Sequence, residues 1–138
     1  MNLHFIAIGG SAMHSLAIAM NRLGHKVSGS DDSIFEPSKS NLKNAGLLPP
    51  SLGWFPDKID SEIDIVILGM HSQKDNPELL KAQYIGLNIQ SYPEFLSEIS
   101  RNKTKVVIAG SHGKTTITAM IIHVLKYHTI DIDFMVGA

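Results

Sequence analysis

With 138 residues, 43% hydrophobic and 18% charged, the chain suits one globular domain, or one domain and a piece of another. A formal charge of −1 excludes a general nucleic-acid binder, which shows a basic excess, and no apolar run reaches the roughly 18 residues that cross a membrane. The absence of cysteine excludes disulfides and thiolate chemistry and agrees with a cytoplasmic location.

Leu3 to Ile8 is a short apolar run ending at Gly9-Gly10, which predicts a buried strand, and no secretory leader is expected ahead of it. Ser11 to Leu23 predicts a helix, with Met13, Leu16, Met20 and Leu23 at helical spacing and Gly24 as its stop. Lys26 to Gly29 predicts a second strand leading into Ser30, Asp31 and Asp32. Pro37 opens a helix expected to run to about Gly46. Residues 47–57 hold three of the six prolines and read as loop around one short strand. Ile63 to Leu68 is β-branched and stopped by Gly69, the clearest buried strand. Asn76-Pro77-Glu78 combines a capping residue, a first-turn proline and an acid, so a helix starts there and ends near Gly86. A strand over Leu87 to Gln90 and a helix over Pro93 to Ile99 follow. Arg101 to Thr104 is a polar hinge, Lys105 to Ala109 a strand and Lys114 to Tyr127 a helix. This alternation predicts an α/β fold with an open parallel sheet and helices on both faces.

Two stretches suit phosphate. Ala7 to His14, AIGGSAMH, stands at the first strand-to-helix turn, where small residues let the backbone approach a diphosphate and the helix offers free N–H groups. Ala7 and Ala12 stand at the first and third glycine positions of the dinucleotide fingerprint, and Asp31 lies where an acid can meet ribose hydroxyls. A merely tight turn, with Asp31 and Asp32 as a solvated turn or helix cap, is the alternative. The second stretch is GSHGKTT: Gly110, Ser111, His112, Gly113, Lys114, Thr115 and Thr116. A glycine loop between strand and helix cradles phosphate oxygens, Lys114 places a charge on the β- and γ-phosphates of ATP, and the Thr115 hydroxyl can bind Mg²⁺. Ile108 replaces the first glycine of the strict phosphate-loop motif, and a glycine-rich helix start with a chance lysine is the alternative. His71 and Ser72 follow the Ile63–Leu68 strand and either line the same crevice as Gly9 and Asp31 or form an ordinary loop. The seven histidines show no zinc spacing.

HFIAIGGSAMHSLA, GHKVSGSD, DIVILGMHSQKDNPELLKAQ, SYPEFL and VIAGSHGKTT together resemble the Mur ligase family in register, across the whole chain. The resemblance implies a Rossmann-like UDP-sugar-binding domain over residues 1–100. Residues 105–138 would then be the truncated start of a central ATP-binding domain. It implies that Gly9, Gly10, Ser11, Ala12 and Met13 lie against the UDP diphosphate, Ser30 and Asp31 near its ribose or uracil, and that His71 and Ser72 complete the pocket. Lys114 and Thr115 would handle ATP and Mg²⁺, with Thr115 as the metal ligand. The implied activity is an ATP-dependent ligation of L-alanine to the carboxylate of UDP-N-acetylmuramate, or alternatively of a recycled peptide, with the amine bound by domains beyond this chain. Ala7 and Ala12 depart from the family loop, and the Ala12 Cβ is placed to crowd a phosphate; His14 is a further ligand candidate. A non-catalytic NAD-type module is the reading from another class. A stand-alone ATPase needs an acidic strand after the phosphate-loop helix, and only Asp131 and Asp133 follow. As a fragment, the chain is expected to have no ligase activity of its own.

Overall fold

In the computed structural model, four parallel strands form one sheet in the order β2-β1-β3-β4: β1 (Asn2–Ile6), β2 (Lys26–Ser30), β3 (Ile65–Leu68) and β4 (Asn88–Ser91). The structure describes residues 1–70 and 72–136. Helix α1 (Ser11–Arg22) connects β1 to β2, α2 (Ser38–Asn44) and a 3₁₀ turn (Pro56–Lys58) lie between β2 and β3, α3 (Pro77–Tyr84) joins β3 to β4, and α4 (Tyr92–Ile99) follows. The chain divides into two compact units, Met1–Arg101 and the residues from Asn102 onward.

The register sets the carboxyl edge: Ile6 is opposite Ser30 and Leu68, and Leu68 is opposite Ser91. From β1 the path to β2 runs one way across the sheet, and from β3 the path to β4 runs the other. Right-handed crossovers therefore place α1 and α3 on opposite faces. Burial agrees, because residues of both alternating sets are inside: Leu3, Phe5, Ile65 and Ile67 on one face, His4, Ile6 and Val66 on the other. On the second face Ile6 and Val66 pack with Ile59, Leu79 and Ala82, and Trp54, Leu68 and Ile89 border them. Each fully buried Phe, Ile or Leu contributes about 1.5–3 kcal/mol. Helix α1 buries Met13, Leu16, Ala17 and Met20, and α4 buries Phe95.

Three helix ends share one solution. Gly24, Gly46 and Gly86 have φ of +87°, +70° and +73°. The next residues, His25, Leu47 and Leu87, donate back to the Met20, Leu42 and Ala82 carbonyls at 3.1, 2.8 and 3.0 Å, which satisfies otherwise orphaned acceptors.

Several expected boundaries shift, among them the start of β3, expected at Ile63 and found at Ile65. β1 stops at Ile6 because Ala7 has φ +67°, a left-handed conformation incompatible with a strand. Pro37 is the residue before α2, which runs only to Asn44.

In the second unit, α5 (Lys114–Tyr127) forms as expected but buries no residue. The strand expected over Lys105–Ala109 is absent. A strand exists only through ladder bonds to a neighbour, and no other strand lies among the described residues of this unit. Lys103 pairs with Asp133, and Lys126 lies 4.7 Å from the centre of the Phe134 ring.

Candidate functional site

The strand order reverses direction between β1 and β3, and ligands in open α/β sheets bind outside the carboxyl ends at such a switch point. Residues 7–10 leave β1 at this point, and Gly69 and Met70 leave β3. The two ends touch closely: the Gly69 N–H donates to the Ile6 carbonyl at 3.0 Å, and a Cβ on Gly69 would stand 3.0 Å from the Ala7 Cβ. Gly10 precedes α1 and brings no capping side chain, which leaves the first-turn N–H groups of Ser11, Ala12 and Met13 for an external acceptor. The strained alanine of this loop is Ala7, with its positive φ; Ala12 lies within the helix.

Asp31 holds the loop. It is 6% exposed, and its Oδ2 accepts the Gly9 N–H at 2.7 Å while Oδ1 accepts the Ser33 N–H at 3.2 Å. Burial pushes the Asp31 carboxyl above its ordinary range against the lowering effect of those N–H groups, and the neighbouring Asp32 charge adds to the rise. Gly9 is required by space: a Cβ there would stand 2.8 Å from Ile34 Cγ1 and 2.9 Å from Asp31 Oδ2. The Ser30 carbonyl accepts from the Ala7 and Ile8 N–H groups at 2.9 and 3.2 Å, so backbone and side chain of this Ser-Asp pair both shape the turn. The Ser72 hydroxyl is buried at this edge without a hydrogen-bond partner among the described residues, and the buried Ser30 hydroxyl lies close to Glu78. A buried hydroxyl such as that of Ser72 is one a polar ligand would satisfy. The structure thus gathers Gly9, Gly10, Ser11, Ala12, Met13, Ser30, Asp31 and Ser72 at one edge, whereas His71 lies outside the described residues.

The phosphate-loop candidate is described by its own unit alone. Gly110 and Gly113 have φ of +154° and +76°, and Gly113 precedes α5. A Cβ at Gly113 would meet nothing nearer than 4.0 Å, so conformation, not space, calls for glycine there. Lys114 Nζ donates to the Gly110 and Ser111 carbonyls at 2.6 and 3.4 Å. Ser111, His112, Thr115 and Thr116 are exposed. Turns of this kind before a helix fit an anion, with a lysine charge at hand. For a cation, Thr115 supplies one hydroxyl, and no group of three or more His, Asp or Glu that could hold a metal occurs among the described residues.

The model of the Mur ligase family, catalytic domain, matches residues 2–104. The chain belongs to the Mur ligase family. UDP-N-acetylmuramate–L-alanine ligase of Carboxydothermus hydrogenoformans is 37% identical over 97% of this chain and 28% of its own length. The enzyme of that name from Streptococcus pneumoniae (strain Hungary19A-6) is 36% identical over 97% of the chain and 30% of its own length. The crystal structure of the UDP-N-acetylmuramate:L-alanyl-γ-D-glutamyl-meso-diaminopimelate ligase of Neisseria meningitidis covers 99% of this chain, with a TM-score of 0.85 and 29% identity, over 43% of its own length. The UDP-N-acetylmuramate–alanine ligase of Thermotoga maritima covers 94%, with a TM-score of 0.78 and 30% identity, over 30% of its own length. The chain therefore spans about 28–30% of the length of the curated relatives it matches. Its fold is that of their Rossmann-like parallel sheet.

Within this Mur ligase chain, two polar arrangements escaped the sequence reading. The first is His4 with Glu78, both fully buried: His4 Nε2 donates to Glu78 Oε2 at 3.1 Å, and Glu78 Oε1 accepts the Phe55 N–H at 2.7 Å. Burial alone would raise the Glu78 carboxyl, but the bonds from His4 and Phe55 outweigh it and hold the pKa below the usual glutamate value. The Ser30 hydroxyl, close by though outside hydrogen-bond geometry, acts in the same direction. The available signal was the Asn76-Pro77-Glu78 helix start, and Asn76 Oδ1 does cap α3, accepting from Glu78 and Leu79 N–H at 2.9 and 3.2 Å. Nothing local marks that acid as buried. The second is His14, whose Nδ1 lies 2.9 Å from the Gly10 carbonyl and 3.0 Å from Ser38 Oγ. It ties the Gly9–Met13 turn to α2, so its side chain serves the fold at this edge.

Proposed function

We propose that this chain binds UDP-N-acetylmuramate at the carboxyl edge of its sheet, as the N-terminal part of a cytoplasmic, ATP-dependent ligase of peptidoglycan synthesis that adds L-alanine. The observation that carries the reading is the Gly9–Met13 turn braced by Asp31 at the β1/β3 switch point. The diphosphate lies on the N–H groups of Ser11, Ala12 and Met13, where the positive end of α1 meets it. Ser30, Asp31 and Ser72 lie near the ribose and uracil, and His71, outside the described residues, is assigned to the same pocket by the family resemblance alone. Residues 1–100 form the UDP-sugar domain, and residues 105–138 begin the ATP-binding domain.

In the longer protein, ATP with Mg²⁺ would supply the phosphoryl group that activates the muramoyl carboxylate as an acyl phosphate, and the incoming amine would displace phosphate to leave an amide. There Gly110 to Thr116 would cradle the phosphates, Lys114 would neutralise charge on the transferring group and Thr115 would ligate the metal. A peptide-adding activity on the same nucleotide sugar is the second reading. It draws support from the solved structures, among them a murein peptide ligase of Psychrobacter arcticus with a TM-score of 0.82 and 34% identity.

Calorimetric titration tests the proposal. UDP-N-acetylmuramate is expected to bind with one site per chain and NAD not to bind. NAD binding without UDP-sugar binding overturns it in favour of an NAD-type module.

A further inference from the structure

Glu78 touches neither the turn at Gly9 nor Asp31, yet hydrogen bonds lead from it to both. Its Oε1 accepts the Phe55 N–H at 2.7 Å. Two residues earlier, the Gly53 N–H donates to the Asp31 carbonyl at 2.8 Å, in an isolated antiparallel bridge between Asp31 and Gly53. Asp31 Oδ2 in turn accepts the Gly9 N–H at 2.7 Å. The Gly53–Phe55 stretch belongs to no extended ladder, and Gly53 has φ +123°. Trp54 packs against the Ile6–Val66 cluster, and the backbone on either side of it is held by two anchors, one at Asp31 and one at Glu78.

Glu78 is itself rigidly held. It stands in the first turn of α3, where the Asn76 cap and the helix dipole favour an acid. It is fully buried, and its second oxygen is fixed by His4 of β1. A charged acceptor in a dry site makes stronger bonds than a neutral one. We infer that Glu78 is a positioning residue for the substrate turn: through Phe55 and Gly53 it fixes Asp31, and through Asp31 it fixes Gly9. The inference rests on the reading of that turn as the diphosphate site.

The test compares Glu78→Gln, which keeps an acceptor for Phe55 but removes the charge, with Glu78→Leu, which removes both. Amide hydrogen exchange in the whole chain reads the relay directly. In Glu78→Gln, protection at Phe55, Gly53 and Gly9 is expected to fall about tenfold, while Phe5 and Ile67 in the sheet keep theirs. Glu78→Leu should deepen the same local loss; if it fails to fold, Glu78→Gln alone decides. Loss at Phe55 with Gly53 and Gly9 unchanged overturns the relay, and equal loss at every amide reduces Glu78 to a general stabilising residue. UDP-N-acetylmuramate affinity should fall about tenfold in Glu78→Gln but not further when Asp31→Asn is already present, because the two residues act in series. Additive losses overturn the inference. If the unaltered chain binds no UDP-sugar, the proposed function fails while the exchange data still decide the relay.

Discussion

Ala7 occupies a conformation that suits glycine, with φ +67°. The left-handed region costs an alanine roughly 1–2 kcal/mol, offset in part by the greater chain entropy that a glycine loses on folding. Ala7→Gly is therefore expected to stabilise the chain by about 0.5–1 kcal/mol, seen as a higher urea midpoint at unchanged slope. Charge at the two buried acids acts in opposite senses. Glu78 has a folded pKa below its ordinary 4.5, so its contribution to stability is complete above that value and disappears as pH falls through the folded pKa. Asp31 is raised above 3.8, so its contribution is present below that value and is lost as pH rises through the folded pKa. Urea unfolding across the acid range should show less loss of stability towards low pH in Glu78→Gln than in the unaltered chain, and more in Asp31→Asn. A Glu78→Gln profile parallel to the unaltered one would contradict this assignment.

At the scale of elements, local sequence and local structure agree where a helix begins or ends on its own chemistry. Asn76 caps α3 through both the Glu78 and Leu79 N–H groups. Asn76→Ala is expected to cost about 1 kcal/mol by chemical denaturation, with the far-ultraviolet signal of the folded chain nearly unchanged. Ser91 and Glu94 form a reciprocal capping box at α4. α5 ends like α1, α2 and α3, with the Ile130 N–H on the Leu125 carbonyl at 3.0 Å, but the left-handed position is Thr129 at φ +55°. Helices were legible because their signals lie within a few residues. Strands were legible by apolar runs only where a neighbour exists. Lys105–Ala109 has the run and, among the described residues of its unit, no partner.

For the whole molecule, the two proposed sites fall in different units. The edge proposed for the nucleotide sugar is built from residues before Arg101, whereas the Lys114 loop belongs to the second unit. Removing the residues after Arg101 is therefore expected to leave UDP-N-acetylmuramate affinity within about twofold of the 138-residue chain. The intact chain is expected to release no phosphate in an amine-dependent way when given ATP, UDP-N-acetylmuramate and L-alanine. Affinity falling by more than about tenfold on truncation would show that the second unit supports the sugar site.

The sequence by itself determined the family, the order of β1 to β4 with the helices between them, the two glycine turns and the acid after β2. Each rests on residues adjacent in the chain, whose spacing sets periodicity, turn chemistry and caps. Only the tertiary structure decided that Ala7 bears the strain of the first turn, that Asp31 braces Gly9, and that Glu78 meets His4 and Phe55 under the same edge. Those contacts join residues 22, 74 and 23 positions apart. They exist because parallel crossovers bring distant strand ends to one edge, where a buried acid is stable only with partners that no local pattern announces.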